Sequence, residues 1–285
     1  MSNGKKLSEI LAPLLGEKLS QQLTGLVELA GALVVAIAAA AQAVSPLIES
    51  GRVKEWADLV TFFEELPTKS KQAMRQALAE GWFFGWHDSL QSLVGLIESL
   101  SNRKDEDVDQ TMMAYYRLNL AAFSKELIEA YPARAAPIEA AIQSHLRMDE
   151  SGFLLSVPVF IAQADGILAD TIGVSQPIKN SASALKRRYG ADAEVLDYLT
   201  PLLELNDSPF AMSAKARSTQ MTEGALNRHQ VMHGERSDYG TEKDSLKAFS
   251  FLAFVGLHVP TILAADATPR KYDQHDEQSP PASKL

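Results

Sequence analysis

Apolar residues recur along this chain at the three- and four-residue spacing that marks one face of an α-helix. Trp56, Leu59, Val60 and Phe63 follow this spacing within residues 54–66. The pattern predicts helices over 54–66, 69–101, 108–130, 137–146, 153–173, 194–205, 218–233 and 241–257. The strict alternation that marks a half-buried strand is nearly absent, so we predict an all-α fold.

Proline, glycine and capping residues divide these predicted helices. Pro67 is expected to end the first helix, and Thr68 can cap the next one. Gly234 suits the left-handed residue that ends a helix. Thr241 and Asp244 resemble a capping box, with Asp in place of the usual Glu or Gln. Lys179–Asp192 is expected to be a polar segment between helices.

Four aromatic residues stand close together inside the predicted helix 69–101. They are Trp82, Phe83, Phe84 and Trp86. They could form a shelf for a ligand, but aromatic side chains gain most from burial, so we expect them in the core or at an interface.

Composition changes divide the chain into three predicted parts. Residues 1–139 form a helical region of unknown role, and residues 140–265 form a compact helical domain. Residues 266–285 are polar, contain Pro280 and Pro281, and are predicted to be disordered.

The composition is that of an ordinary globular protein. The 285 residues are 46% hydrophobic, and 27 basic against 36 acidic residues give a formal charge of −9. This acidic balance argues against non-specific coating of DNA but leaves room for a local basic pocket. Cysteine is absent, which excludes disulfides, thiolate catalysis and cysteine-based metal sites. No secretory signal is apparent, so we expect a cytoplasmic protein.

Residues 29–48 form an uncharged stretch of 20 residues, close to the length that spans a bilayer. The stretch is rich in alanine, which contributes little to membrane insertion, and it contains Gln42, Ser45 and Pro46. We expect a buried helix here, with a membrane anchor as the alternative.

The segment Asn227–Gly234 carries the candidate chemistry. Arg228, His229 and His233 lie within two predicted helical turns, where residues four apart share a face and residues five apart are partly rotated away. A guanidinium can grip a phosphate with two hydrogen bonds, and an imidazole can transfer a proton near neutral pH. This pair meets the minimum requirement for cutting RNA without a metal ion.

The segment resembles the HEPN family, whose signature is an arginine, a polar residue, and a histidine after four to six intervening residues. Arg228, His229 and His233 match those positions. Flanking residues at 238–241 and 245–249, and the upstream residues 156–158 and 163–167, are similar to a group of bacterial HEPN-like proteins. The similarity covers about residues 140–265.

The resemblance implies a helical bundle that dimerises, with the two motifs facing each other across the dimer. It also implies a metal-independent endoribonuclease of toxin–antitoxin or phage-defence systems, whose partners are RNA, a second copy of the chain, and an antitoxin or defence protein. Some family members bind RNA or nucleotides without cutting. We therefore predict an endoribonuclease of stress response or phage defence without a cofactor, and keep a non-catalytic module that binds RNA, nucleotide or protein as the alternative.

In this prediction Arg228 stabilises the phosphate and His233 transfers a proton. Asn227 and His229 support them or contact RNA. Asp165 lies in an apolar helix and needs a partner, for which Arg228 or a histidine is available. Asp165 would then either orient that partner or have only a structural role. For Arg228, a purely structural role is the alternative to catalysis and to ligand binding.

Further polar residues have both a functional and a structural interpretation. Tyr239 could contact the substrate or pack against the core. Lys186, Arg187 and Arg188 could contact the RNA backbone or form a solvated surface. We treat His87, His145 and His258 as structural or surface residues.

Zinc is a competing use of the two motif histidines. His229 and His233 have a ligand spacing, with Asp238 or Asp244 as a third ligand. The glutamate of a zinc-protease helix is replaced by Gln230, so we predict no metal.

Overall fold

The computed structural model describes residues 53–101, 107–213 and 225–267, and all regular secondary structure within these ranges is helical. The all-α prediction is therefore confirmed for this part of the chain. The α-helices are α1 (Val53–Ala79), α2 (Leu90–Ser101), α3 (Val108–Ala130), α4 (Ala135–His145), α5 (Glu150–Ile172), α6 (Pro177–Tyr189), α7 (Thr200–Leu203), α8 (Arg228–Met232), α9 (Glu242–Ala253) and α10 (Val259–Ala267). Short 3₁₀ segments at Pro132–Arg134, Glu194–Leu199 and Leu205–Asp207, and a π-helical segment at Phe254–His258, connect some of them.

Helices α5 and α9 form the centre of the molecule and pack against each other. Every residue of α9 from Asp244 to Ala253 is buried, which is the pattern of a helix surrounded by protein. One hydrophobic core extends from Leu66 to Leu263. Residues on both sides of the predicted boundary between 139 and 140 therefore share this core.

Helix α1 continues through Pro67, so the predicted end of the helix at this proline is wrong. A proline within a helix removes one backbone hydrogen bond and costs about 3 kcal/mol. Leu66 on one side of the proline and Met74 and Ala77 on the other are buried in the common core. Burial on both sides of Pro67 offsets the missing bond.

The predicted helix 69–101 is interrupted, because residues 80–89 form turns and irregular backbone between α1 and α2. Gly81 has a φ of +77°, a conformation that suits glycine and ends α1. Beyond it, the backbone N–H groups of Phe83 and Trp86 donate to the side chains of Ser250 and His258. The four aromatic residues are buried, which agrees with the expectation that they belong to the core.

Two further segments differ from the predictions. Lys179–Asp192, expected to be a polar segment between helices, lies largely within α6, because Ile178 and Leu185 bury one side of an otherwise polar helix. The predicted helix 194–205 is divided into a 3₁₀ segment and the four-residue α7. Pro201 stands in the first turn of α7, where a proline is tolerated.

The N-cap predicted at Thr241 is confirmed, but the reciprocal half of a capping box is not formed, because the Thr241 N–H donates to the carbonyl of Tyr239 instead of to the Asp244 side chain. The Thr241 hydroxyl accepts a hydrogen bond from the Asp244 N–H at 3.0 Å, and α9 begins at Glu242. The helix then passes through the π-helical segment into α10. In the π-helical segment, the carbonyl of Gly256 accepts a hydrogen bond from the Tyr131 hydroxyl at 2.8 Å. Residues 268–285, which hold most of the predicted tail, lie outside the described residues.

Two described helical stretches are long and apolar enough to cross a membrane, Glu150–Tyr189 and Glu242–Ala264. Half of the apolar window in the first and 89% of that in the second is buried inside the protein. Core helices meet the same criterion, so this is weak evidence for a membrane protein. The candidate span 29–48 lies outside the described residues.

Candidate functional site

The helix that carries Arg228 and His229 is a single turn. Helix α8 covers Arg228–Met232, and residues 225–227 before it are not helical. The predicted helix 218–233 is therefore wrong for 225–227, and its part at 218–224 lies outside the described residues. The cause is Asn227, whose side-chain oxygen accepts from the N–H groups of His229 and Gln230 and starts the helix.

Asn227 also anchors α8 to the preceding chain. Its side-chain N–H₂ donates to the carbonyl of Pro209 at 2.8 Å and to that of Met212 at 3.2 Å. The side chain is fully buried. Asn227, a predicted supporting residue, is thus placed where it fixes the helix rather than where it would reach a ligand directly.

Arg228 points from α8 towards α5. Its Nη2 lies 2.6 Å from Oδ2 of Asp165, and the two side chains are 15% and 23% exposed. Burial raises the pKa of Asp165, and the charge and hydrogen bond of Arg228 act in the opposite direction. Asp165 thus has Arg228 as its partner, one of the two kinds of partner expected from the sequence.

The contact between Arg228 and Asp165 leaves two polar atoms without partners. Nε of Arg228 and Oδ1 of Asp165 are both buried and make no hydrogen bond within the described part of the chain. The side-chain oxygen of Gln230, on the same turn of helix, is a third such atom. A buried polar atom without a partner costs about 1–3 kcal/mol, so this region has unused hydrogen-bonding capacity.

His229 and His233 form a stacked pair. Their ring centroids lie 6.2 Å apart and their planes differ by 3°. His233 follows the last residue of α8 and is exposed, while His229 is half-buried. Gly234 comes next with a φ of +69°, as the sequence predicted for the end of this helix.

Arg228 and His233 do not touch. Within the described part of the chain, no hydrogen bond or ring contact joins them: Arg228 faces α5 and His233 faces solvent. Five residues of ideal helix rotate the second side chain by about 140° from the first. One copy of α8 in this conformation therefore offers the two groups in different directions.

A second cation, Arg134, lies beside residues 163–167 of α5, the upstream residues of the HEPN-like similarity. Arg134 bonds to Gln163 at 3.3 Å and to Asp170 at 2.7 Å. A Cβ at Gly166 would lie 2.5 Å from Nη1 of Arg134, so this glycine allows the guanidinium to lie against the helix. Asp165 binds Arg228 and Asp170 binds Arg134, which gives α5 two ion pairs of similar chemistry and different exposure.

Arg236, a residue that no sequence motif singled out, holds the loop after α8. Its side chain is 12% exposed, donates to the carbonyl of Ala225 at 2.6 Å and to Asp238 at 2.6 Å, and lies 3.9 Å from Asp244. An arginine just before the capping box at Thr241 was the available signal. Arg236 thus connects both ends of the segment that contains the motif.

The other predicted site residues are separate from the Arg228–Asp165 contact. Tyr239 is half-buried against the hydrophobic core. Lys186, Arg187 and Arg188 are exposed in the last turn of α6, where cations stabilise the negative end of a helix. Arg187 and Arg188 also line a shallow cavity of about 220 Å³ beside Leu263.

Metal ligands do not gather around the motif in the described residues. Within 53–101, 107–213 and 225–267, no group of three or more histidine or acidic side chains could hold a metal ion. The zinc alternative at His229 and His233 gains no third ligand from this part of the chain.

Comparison of the chain with protein-family models, with curated proteins and with solved structures finds no match.

Proposed function

We propose that this protein is a metal-independent endoribonuclease of HEPN type that acts in stress response or phage defence. The observation that carries the proposal is the arrangement on α8. The five-residue helix begins with an arginine whose buried Nε has no hydrogen-bond partner among the described residues, and an exposed imidazole directly follows its last residue. An arginine can bind a phosphate and an exposed histidine can exchange protons with a substrate.

The proposed reaction uses the 2′-hydroxyl of RNA as its nucleophile. The 2′-oxygen attacks the adjacent phosphorus, the bond to the 5′-oxygen breaks, and the products are a 2′,3′-cyclic phosphate and a free 5′-hydroxyl. His233 accepts the proton of the 2′-hydroxyl or supplies one to the leaving oxygen. Arg228 stabilises the negative charge that develops on the phosphate oxygens.

The different directions of Arg228 and His233 suit a site formed by two chains. In a dimer with the two copies of α8 facing one cleft, Arg228 of one chain and the partner's His233 approach the same phosphodiester. The divergence of about 140° within one helix then separates two half-sites. Cleavage by a single chain would instead require one of the two side chains to turn.

RNA cleavage in excess EDTA tests this function. The full chain should cut RNA, and His233→Ala and Arg228→Ala should each reduce the rate at least about 100-fold. Arg147→Ala is the matched control, because Arg147 is an exposed arginine that pairs with Asp149 between α4 and α5. RNA with 2′-deoxy substitutions should remain intact. Full activity of His233→Ala would contradict the proposal.

Mixing two inactive variants tests the two-chain site. If each site uses Arg228 from one chain and His233 from the other, co-refolded Arg228→Ala and His233→Ala chains contain one complete site and regain activity. If each site lies within one chain, the mixture stays inactive.

The ion pair of Arg228 favours the second candidate, a non-catalytic module that binds RNA, a nucleotide or a protein at the same place. A guanidinium that is 15% exposed and held by Asp165 is better placed for binding or structure than for rapid chemistry. RNA binding that requires Arg228, together with intact RNA under all conditions, would support this candidate.

A further inference from the structure

The ion pair between Arg228 and Asp165 does not have its strongest geometry. Arginine and carboxylate groups commonly form two parallel hydrogen bonds, which are stronger and more specific than one. Here one bond of 2.6 Å forms between Nη2 and Oδ2, while Nε and Oδ1 remain buried with no hydrogen-bond partner among the described residues. An acceptor that reached Nε would therefore gain a bond that Asp165 does not make.

The surroundings of Asp165 also disfavour its charge. The residue lies on α5 between buried apolar positions such as Ala164 and Ile167, and burial raises the pKa of its carboxyl group. Arg228 is the group that opposes this effect. Among the described residues, the carboxylate consequently depends on Arg228, a cation that could bind a different anion.

A phosphodiester has the properties of a competing anion. It offers two non-bridging oxygens at a spacing that fits a guanidinium, and it keeps its negative charge at all pH values of interest. We propose that Asp165 is an internal anion that masks the phosphate-binding face of Arg228 in the free protein and gives it up when an RNA phosphodiester binds. This inference rests on the proposed function for the identity of the ligand.

Removing the charge of Asp165 has opposite effects on RNA binding if Asp165 masks Arg228 and if Asp165 only orients it. If Asp165 only orients Arg228, removing its charge loosens the guanidinium and weakens RNA binding. If Asp165 competes with the phosphate, removing its charge frees the guanidinium and strengthens binding. Asp170, on the same helix and paired with Arg134 at 2.7 Å, provides a control with the same change of net charge.

RNA binding without cleavage measures the difference. The full chain is titrated against a short fluorescent RNA whose 2′-hydroxyls are all methylated, in EDTA and at fixed salt, and Kd is read from anisotropy. Asp165→Asn should lower Kd about tenfold, equivalent to about 1.4 kcal/mol. Asp170→Asn should change it at most about twofold. In an Arg228→Ala background, Asp165→Asn should have no further effect.

Several results would overturn the mask. Asp165→Asn could bind RNA no more tightly than the wild type, or Asp170→Asn could gain as much RNA affinity as Asp165→Asn. The gain in affinity from Asp165→Asn could also persist in the Arg228→Ala background, or no variant could bind RNA. Circular dichroism and thermal unfolding check that each variant is folded, and Asp165→Ser replaces Asp165→Asn under the same criteria if the latter does not fold. Because the RNA cannot be cut, a protein that shows the expected gain but cleaves no natural RNA would refute the nuclease and retain the mask.

Discussion

Two pairs of histidines in this protein have nearly equal spacing, but one pair contains a fully buried ring and the other an exposed ring. The rings of His87 and His258 lie 6.5 Å apart beside the core, and those of His229 and His233 lie 6.2 Å apart on α8. His258 is fully buried, whereas His233 is exposed. The distance between two histidine rings therefore does not indicate whether they can exchange protons with a ligand, whereas their exposure to solvent does.

The core pair is fixed in its neutral form. Nδ1 of His258 accepts from the Trp86 N–H at 2.8 Å, so Nε2 carries the proton and donates to the carbonyl of Tyr198 at 2.7 Å. Burial lowers the pKa of His258 to about 4 and that of His87 to about 3. The lowered pKa values favour the neutral form of both rings near pH 7, and His258 uses both of its ring nitrogens to hold the structure. His233 has no such enclosure, which is why it is the better candidate for chemistry.

The largest expected effect comes from crowding the core pair. A Cβ at Gly85 would lie 2.2 Å from Cγ of His258 and 2.6 Å from its Nδ1. Because His258 is fully buried and bonded on both sides, it cannot move aside, and Gly85→Ala should lower the free energy of unfolding by about 3 kcal/mol or more. Urea unfolding followed by circular dichroism measures this loss.

Gly95 provides the control for this substitution. It lies within α2, and no atom of the described residues outside its chain neighbours and nearby helix backbone lies within 4 Å of the position of an added Cβ. Gly95→Ala should stabilise the protein by up to about 1 kcal/mol, because alanine favours a helix over glycine. Equal behaviour of the two variants would mean that His258 is not held as the structure has it.

The next effect is a dependence of stability on pH. The pKa of His258 is about 4 in the folded protein and about 6.5 when unfolded, so the unfolded chain binds more protons between these values. The contribution of His258 to the free energy of unfolding should therefore be fully present above pH 6.5. It should fall by about 3 kcal/mol as the pH decreases to 4. His87 acts in the same direction.

Replacing His258 isolates its share of the pH dependence. His258→Gln removes the titrating group, so its urea-unfolding free energy should decline less steeply with acid than that of the wild type. The slopes are compared rather than the absolute values, because the substitution itself destabilises the core. Parallel slopes from pH 7 to 4.5 would contradict the role given to His258.

A smaller effect is expected at the anchor of the surface pair. Asn227→Ala removes the cap of α8 and two bonds to the carbonyls of Pro209 and Met212, and should cost about 2 kcal/mol. Asn227→Ser keeps a capping oxygen but loses those two bonds, and should cost about half as much. Thermal unfolding of both variants distinguishes the two contributions, and an equal loss would mean that the cap contributes nothing.

Features that depend on neighbouring residues could be predicted from the sequence. The bounds of α3, Val108–Ala130, agree with the apolar spacing, and the Thr241 cap agrees with its short motif. The interruption at 80–89 could not be predicted, because the partners of Phe83 and Trp86, Ser250 and His258, lie more than 160 residues further along the chain.

The candidate site shows the same limit. The sequence indicated the residue types at 228 and 233 and offered Arg228 as one partner for Asp165. It did not show that Asn227 would start the helix one residue before Arg228, or that Arg228 and His233 would face different directions. Those facts depend on the bonds of Asn227 to the carbonyls of Pro209 and Met212 and on the packing of α8 against α5.

The smallest expected effect is that of His233→Ala on stability. The ring is exposed and its described contact is the stack on His229, while the backbone N–H of His233 donates to the carbonyl of His229 whatever the side chain. The free energy of unfolding should change by less than about 0.5 kcal/mol. Val231→Ala on the same helix, where Val231 is 6% exposed, should cost more than about 1 kcal/mol. A loss for His233→Ala as large as that for Val231→Ala would mean that His233 serves the fold, and any loss of RNA cleavage in that variant would then say nothing about proton transfer.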